Sequence, residues 1–552
     1  MDTETAGTTE TSGVTIGPGS RWSAVPPRVW IVALVAALLH MAPFWHAQVS
    51  TRDGWTFTGN TTISPDYMQY RVWERQAQRE GPIVTNRFTT EPNTKHLPVF
   101  FYWGVGTLAR WMGVRPEFVY AYAGAGLAIT LTLLVFATVR RFMPDPTHGW
   151  WTFLAIMGGG GLGAYLKFAS AAPVLRELGA VQRFLIEPVL IAPTFEEYRS
   201  HYVYRTLYDT HFLFLWIVML GAVLALHRAF VRFTPGRAAV VAASFAALTV
   251  LHVYEGIVLV AIAAGVLACA WPQVHERRVA FRLLVIGGVA VFACYGALGW
   301  LYQRSGLPLP TWSARNILFA TLLISFPLTW PLLAIGGRQY WLNAGRDERF
   351  LLGWAAGCTA ITLSGPFFPY PDRGTMTLQV PLLIITAAIY FSSWRTLTRR
   401  AALIALVALG ASPAWQIIRS WYFTGFRADA PFMYLNADHS AALSALRSRS
   451  DTGQVLLAEP ADLLWLAPEF PGRLYVGHFF LTVDFRQKHE SLQRALATPD
   501  SLPALLARSG ASWLYVNVRR EPERLTSAAS ITPVHTGPMG TLFRVGGVTD
   551  GR

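Results

Sequence analysis

Long apolar runs separated by short basic turns make up most of this chain, and the first of them extends from Val29 to Trp45. A helix needs about 20 residues to cross about 30 Å of hydrocarbon, and by that measure the sequence holds about eleven candidate spans. The basic turns give them an alternating path. Arg140 and Arg141, then Arg228, Arg232 and Arg237, then Arg277, Arg278 and Arg282 fall in every second turn. Arg338, Arg346 and Arg349 continue the series, followed by Arg395, Arg399 and Arg400. Such turns stay in the cytoplasm, so the N-terminus is predicted inside. The turn His252–Gly256 carries no Lys or Arg and is predicted outside.

Three longer stretches then fall on the outer side: 48–115, 169–205 and 426–552. In the first, Leu97 to Trp111 is apolar but interrupted, and reads as a helix lying in the interface or re-entering. In the last, the pattern changes to short pieces of two periods. Gln454 to Leu457, Arg473 to Val476 and Trp513 to Val518 predict strands, with Gly540 to Val545 as a closing strand. Asp484 to Ala497 and Leu502 to Ser509 predict helices. Residues 426–552 thus form a small extracytoplasmic α/β domain after a transmembrane domain spanning 28–425. Residues 1–27 read as a disordered cytoplasmic tail, since Met1 to about Ser20 has almost nothing to bury. The fold class is a polytopic α-helical membrane protein.

Composition agrees, with 53% hydrophobic and 14% charged residues over 552 positions, against roughly 25% charged in soluble domains. The net charge of +14 is scattered in turns and forms no stripe, which excludes nucleic-acid binding. The three cysteines, Cys269, Cys294 and Cys358, lie in apolar segments and offer neither a disulfide framework nor a thiolate metal site. The Gly158–Gly163 run lacks the Lys-Ser/Thr of a nucleotide loop and suits close helix packing. The absence of His-Glu-x-x-His, Gly-x-Ser-x-Gly and Walker motifs argues against zinc proteases, serine hydrolases and ATP-driven pumps.

Chemistry-bearing residues collect in the outer turns. Asp66 lies in Ser64-Pro-Asp-Tyr-Met-Gln-Tyr70, ahead of a helix-like run from Arg71 to Glu80, and reads either as a helix N-cap or as a reactive carboxylate. His211 opens one span, and His252, Tyr254 and Glu255 fill a tight turn between two others. A carboxylate beside two spans lines a polar cavity or sits in the headgroup layer. Arg373, in an aromatic and proline-stiffened turn, suits a phosphate or an ion pair with Asp372. Glu187, Glu196 and Glu197 show no metal-ligand spacing.

With these features the chain resembles the GT-C superfamily of integral membrane glycosyltransferases, and bacterial membrane proteins placed near it. The matching segments are Ser64–Tyr70, Thr85-Asn-Arg-Phe-Thr89, His252-Val-Tyr-Glu255 and Gly472-Arg-Leu-Tyr-Val-Gly-His478. The resemblance implies a multi-pass protein of the bacterial inner membrane that moves a sugar from a polyprenyl-phosphate donor to the hydroxyl of a glycan, lipid or protein acceptor outside, with inversion. Asp66 then matches the first-loop general base. Tyr67, His211, His252, Tyr254, Glu255 and Arg373 would bind donor or acceptor, with Arg304 and Arg315 as further phosphate candidates. Many members carry Asp-x-Asp or Glu-x-Asp where Asp66 is flanked by Pro65 and Tyr67, so the resemblance leaves a divalent cation, Mg or Mn, open and names no metal ligand. The competing class is a non-enzymatic transporter or flippase of lipid-linked glycans, which needs ionisable groups along a central path. A membrane-anchored scaffold is a third.

Overall fold

The computed structural model describes residues 25–61, 65–158, 209–308, 326, 329–364, 371–393, 432–526 and 530–546. The Gly159–Gly163 part of the glycine run, the 169–205 stretch with its three glutamates, and Arg315 lie outside them.

Helices dominate. The chain runs through α1 (Pro27–Val49), α2 (Pro65–Glu80), α3 (Phe100–Met112), α4 (Pro116–Phe142) and α5 (Pro146–Gly158). It continues through α6 (Thr210–Val231), α7 (Pro235–Leu251), α8 (Val253–Ala270), α9 (Val274–Arg304), α10 (Thr329–Leu342), α11 (Arg346–Leu363) and α12 (Thr375–Ser393). Among the described residues α1, α4, α6, α8 and α9 are long and apolar enough to cross a bilayer, and α7 and Thr377–Ser392 are shorter apolar helices. Pro at the first position starts α1, α4 and α7, where its missing N–H costs no hydrogen bond. The interrupted 97–111 stretch forms α3, whose 13 residues reach about 20 Å and cannot span.

The helix bundle closes through small residues. On α11, an added Cβ at Gly353 would come within 2.4 Å of Val266 Cα and at Gly357 within 2.3 Å of Ala261 O, while one on Gly265 of α8 would meet Gly353 O at 2.1 Å. Backbone against backbone is how helices gain contact area when lipid is the solvent.

The basic turns converge. Asp347 at the start of α11 meets Arg141 of α4 at 3.1 Å and His227 of α6 at 2.8 Å. Glu276 of α9 meets Arg349 at 2.9 Å. These contacts gather one end of the bundle, and the opposite ends of α4, α6, α8 and α11 face the chain's other polar layer.

That layer is built from both the first loop and the C-terminal region. Here β1 (Thr56–Phe57) pairs antiparallel with β4 (Tyr434–Leu435), and β2 (Ile83–Val84) with β3 (Leu97–Pro98). After β4 come α13 (Ala437–Arg449), β5 (Val455–Leu457), α14 (Pro460–Leu466), β6 (Arg473–Leu474), α15 (Phe485–Ala497) and α16 (Leu502–Ser509). The chain then forms β7 (Trp513–Asn517), α17 (Glu523–Thr526), β8 (Ile531–Gly537) and β9 (Gly540–Val545). The sheet order is β6-β5-β7-β9-β8, parallel across β6, β5 and β7 and antiparallel beyond. Met68 and Val72 of α2, with Phe88, are buried in the same core as Leu443, Trp465, Phe470 and Trp513. The first loop and the C-terminal region therefore share one apolar core.

Candidate active site

Helix α2 begins at Pro65, so Asp66 lies inside the first turn and is not the residue before the helix, which sets aside the N-cap reading. Its side chain is 53% exposed and its Oδ1 lies 2.9 Å from His478 Nε2. The other ring nitrogen, Nδ1, accepts the Phe480 N–H at 3.3 Å. In the neutral ring the proton then sits on Nε2, which donates to the carboxylate.

The loop carrying His478 is held from below. Thr482 Oγ1 accepts from Gly477 N at 2.9 Å and donates to Phe88 O at 2.6 Å, and Asn86 Nδ2 donates to Leu481 O at 2.7 Å. A Cβ on Gly477 would come within 2.9 Å of the Phe88 ring, so the approach needs glycine. Leu474 N donates to Arg87 O at 2.8 Å, Arg87 Nε to Gly472 O at 2.9 Å, and Arg87 Nη2 to Phe470 O. Thus two segments far apart in sequence, Thr85–Thr89 and Gly472–His478, are packed on each other beneath Asp66.

Beside Asp66 is an aromatic wall. Tyr67 packs on Tyr70 at 5.8 Å and on Tyr120 at 6.4 Å between ring centroids. Tyr70 stacks on Tyr102 at 5.0 Å, and Tyr102 on His211 at 5.3 Å. Tyr67 and His211 are both buried, so each contacts the wall more than the open space. Burial raises the Tyr70 hydroxyl well above its ordinary value, helped by the charges of Asp209 and Asp66, so it stays an O–H donor. Asp209 caps α6: its Oδ1 accepts the His211 N–H at 3.0 Å and the Tyr120 O–H at 2.6 Å.

A second charged group stands on the span side of that wall. Glu255, fully buried, pairs with His252 Nδ1, and its Oε1 lies 3.5 Å from Arg373 Nη1. Arg373 comes from the 3₁₀ turn Pro371–Gly374 and lies 5.1 Å over the Phe212 ring. The turn can approach because position 374 is glycine: a Cβ there would meet Cys358 O at 2.4 Å. The His252 ring is 5.9 Å from that of His211 and 5.7 Å from that of Tyr254. Arg373 is thus paired to Glu255; the Asp372 side chain lies outside the described residues. Arg304 is elsewhere, its guanidinium 4.0 Å over Trp300.

Tyr67, His211, His252, Tyr254, Glu255 and Arg373 consequently form a connected set, joined by ring and ion-pair contacts through Tyr70 and Tyr102, while Asp66, next to Tyr67 in the chain, acts with Arg373 on the Tyr70 hydroxyl through its charge. Tyr70, Tyr102, Tyr120, Asp209 and His478 also take part and were given no role from sequence, although Tyr70 and His478 end two of the matching segments. Asp209 carries a readable signal, an acid directly before an apolar run. Among the described residues no three of His, Cys, Asp and Glu are placed to hold a metal ion. The acidic groups here are partnered instead: Asp66 by His478, Asp209 by Tyr120, and Glu255 by His252 and Arg373.

No family model matches the chain, and no curated protein does. Among solved structures it is similar to ArnT from Cupriavidus metallidurans in the apo state, at 12% identity and a TM-score of 0.50, over 94% of this chain and 97% of that one. That likeness, with the helices long and apolar enough to cross a membrane and the small C-terminal sheet, shows that the chain has an ArnT-like fold.

Proposed function

We propose that this chain is a membrane glycosyltransferase that moves a sugar from a polyprenyl-phosphate donor to a hydroxyl of an extracytoplasmic glycan, lipid or protein acceptor, inverting the anomeric carbon. The observation that carries the reading is the half-exposed Asp66 carboxylate, steadied by His478 and facing the same polar layer as Arg373. The basic turns at the opposite end of the bundle support an outward-facing site.

In this reading the acceptor O–H gives its proton to Asp66 as its oxygen bonds to the anomeric carbon. The bond from that carbon to the phosphate oxygen breaks, and polyprenyl phosphate leaves with the electron pair. General-base assistance of this kind contributes about 10²–10⁴ in rate. Arg373, which Glu255 and His252 hold in place, meets the charge growing on the phosphate. His478 fixes one carboxylate oxygen by hydrogen bonding and acts as a positioning residue.

The test uses the full chain in nanodiscs with labelled polyprenyl-phosphate sugars and an envelope extract as acceptor. Transfer to acceptor with inverted anomeric configuration, read by NMR, is expected. Movement of lipid-linked glycan between leaflets with no transfer would instead establish the flippase class.

A further inference from the structure

A polar cavity lies against α2, lined by none of the His252, Glu255 and Arg373 cluster. It has a volume of about 630 Å³ and is lined by the β1 strand, α2, the start of α4 and the α13–α14 region. That volume is within the ~300–1,000 Å³ usual for small-molecule sites. Its walls carry four guanidiniums, Arg71, Arg75, Arg115 and Arg447, against the two carboxylates of Glu117 and Glu469.

The charges pair incompletely. Arg75 reaches Glu117 at 2.7 Å and Glu469 at 2.5 Å, and Arg447 Nε donates to Glu469 at 2.7 Å. Arg115 Nε lies 3.4 Å from Glu117. Arg71 is neutralised from behind the wall by Glu74 at 2.7 Å. Four cations against three anions leave one positive charge over. Arg75 Nε is also buried with no hydrogen-bond partner among the described residues, and a buried donor left unmade is costly. A purely structural clamp between loop and domain gains by closing on itself, whereas this one encloses space. Thr56 and Ser440 add hydroxyls to the rim, suited to a hydroxyl-bearing guest.

We propose that this cavity is a binding site for an anionic sugar, a phosphorylated or carboxylated saccharide unit, separate from the Asp66 site. Arg71 connects the two: its guanidinium lies 4.6 Å over the Tyr120 ring, and Tyr120 donates to Asp209 beside His211. Guanidiniums grip such anions with paired, charge-assisted hydrogen bonds. The site stands whether or not Asp66 acts as a base.

The experiment titrates the detergent-purified full chain calorimetrically with glucose 6-phosphate, glucuronate and glucose. Saturable millimolar or tighter binding of an acidic probe, with glucose at least tenfold weaker, is expected. Ser440→Trp fills the cavity and leaves the arginines in place, and Arg447→Gln removes one half-exposed charge. Each should weaken the acidic probe about tenfold or more, at unchanged unfolding temperature, while Asp66→Asn binds as the parent does. Because Asp66→Asn is the variant that tests catalysis, failure of one reading is distinguishable from failure of the other. Repetition in nanodiscs containing phosphatidylglycerol separates a saccharide from a lipid headgroup: binding of the acidic sugar retained beside the lipid is expected, and its displacement by the lipid, which carries no sugar, overturns the saccharide assignment. Equal binding of glucose and glucose 6-phosphate, or no binding of any probe by the parent chain, overturns the proposal.

Discussion

His478 and Asp66 are separated by 412 positions, yet their contact is short and its direction is set by the Phe480 N–H on the far side of the ring. His478→Gln keeps an N–H donor and His478→Ala removes it, so turnover should fall in the order parent, Gln, Ala, with the acceptor KM little changed; a purely structural histidine would instead lower both variants with the unfolding temperature. Asp66 was legible in the sequence because it lies in an outer loop beside a helix-like run and matches the first-loop acid that the resemblance implies. His478 ended a matching segment but its role was not legible: one histidine in a soluble-looking region offers no periodic or charge signal. A second residue-scale outcome concerns Asp462 of α14, whose carboxyl burial pushes up to about 6. An acid raised on folding contributes stability at low pH that is lost as pH rises through the folded value. Asp462→Asn should therefore stabilise above about pH 6, by on the order of 1–3 kcal/mol, and do little below about pH 4, as read by thermal unfolding.

At the scale of elements, the α8–α11 contact depends on hydrogen-sized side chains at Gly265, Gly353 and Gly357. Gly357→Val should lower stability by about 1–3 kcal/mol or more, since the clash is with Ala261 backbone and no rotamer relieves it. Detergent thermal melts, with Gly288→Val as the control where nothing lies within 4 Å, check this. The joint between first loop and C-terminal region depends likewise on Arg87, which satisfies the Phe470 and Gly472 carbonyls. Arg87→Ala leaves these buried acceptors short of a donor, at about 1–3 kcal/mol. It should raise hydrogen exchange across 472–482 and lower transfer together. The strands β5, β6 and β7 and the helices α15 and α16 follow the sequence pattern closely, because β5 and β7 are short, continuous apolar runs buried on both faces and the helices keep a period of 3.6. β8 escaped it: Pro533 and exposed polar positions interrupt the alternation, and its pairing to β9 slips between Pro533 and His535.

For the whole molecule, the alternating basic turns gave the threading, and their ion pairs through Asp347 and Glu276 hold one end of the bundle together. Asp66, His252, Glu255 and Arg373 gather at the other. What the pattern of spans does not contain is the merging of loop and C-terminal region into one core through Met68, Val72 and Phe88, since tertiary contacts across hundreds of residues leave no local trace. That merging is what brings His478 to Asp66. Sugar transfer by Asp66→Asn, with correct folding verified by its unfolding temperature, tests the central claim most directly. A loss of about 10²–10⁴ in turnover with donor binding retained is expected, whereas turnover equal to the parent's would rule out Asp66 as the base.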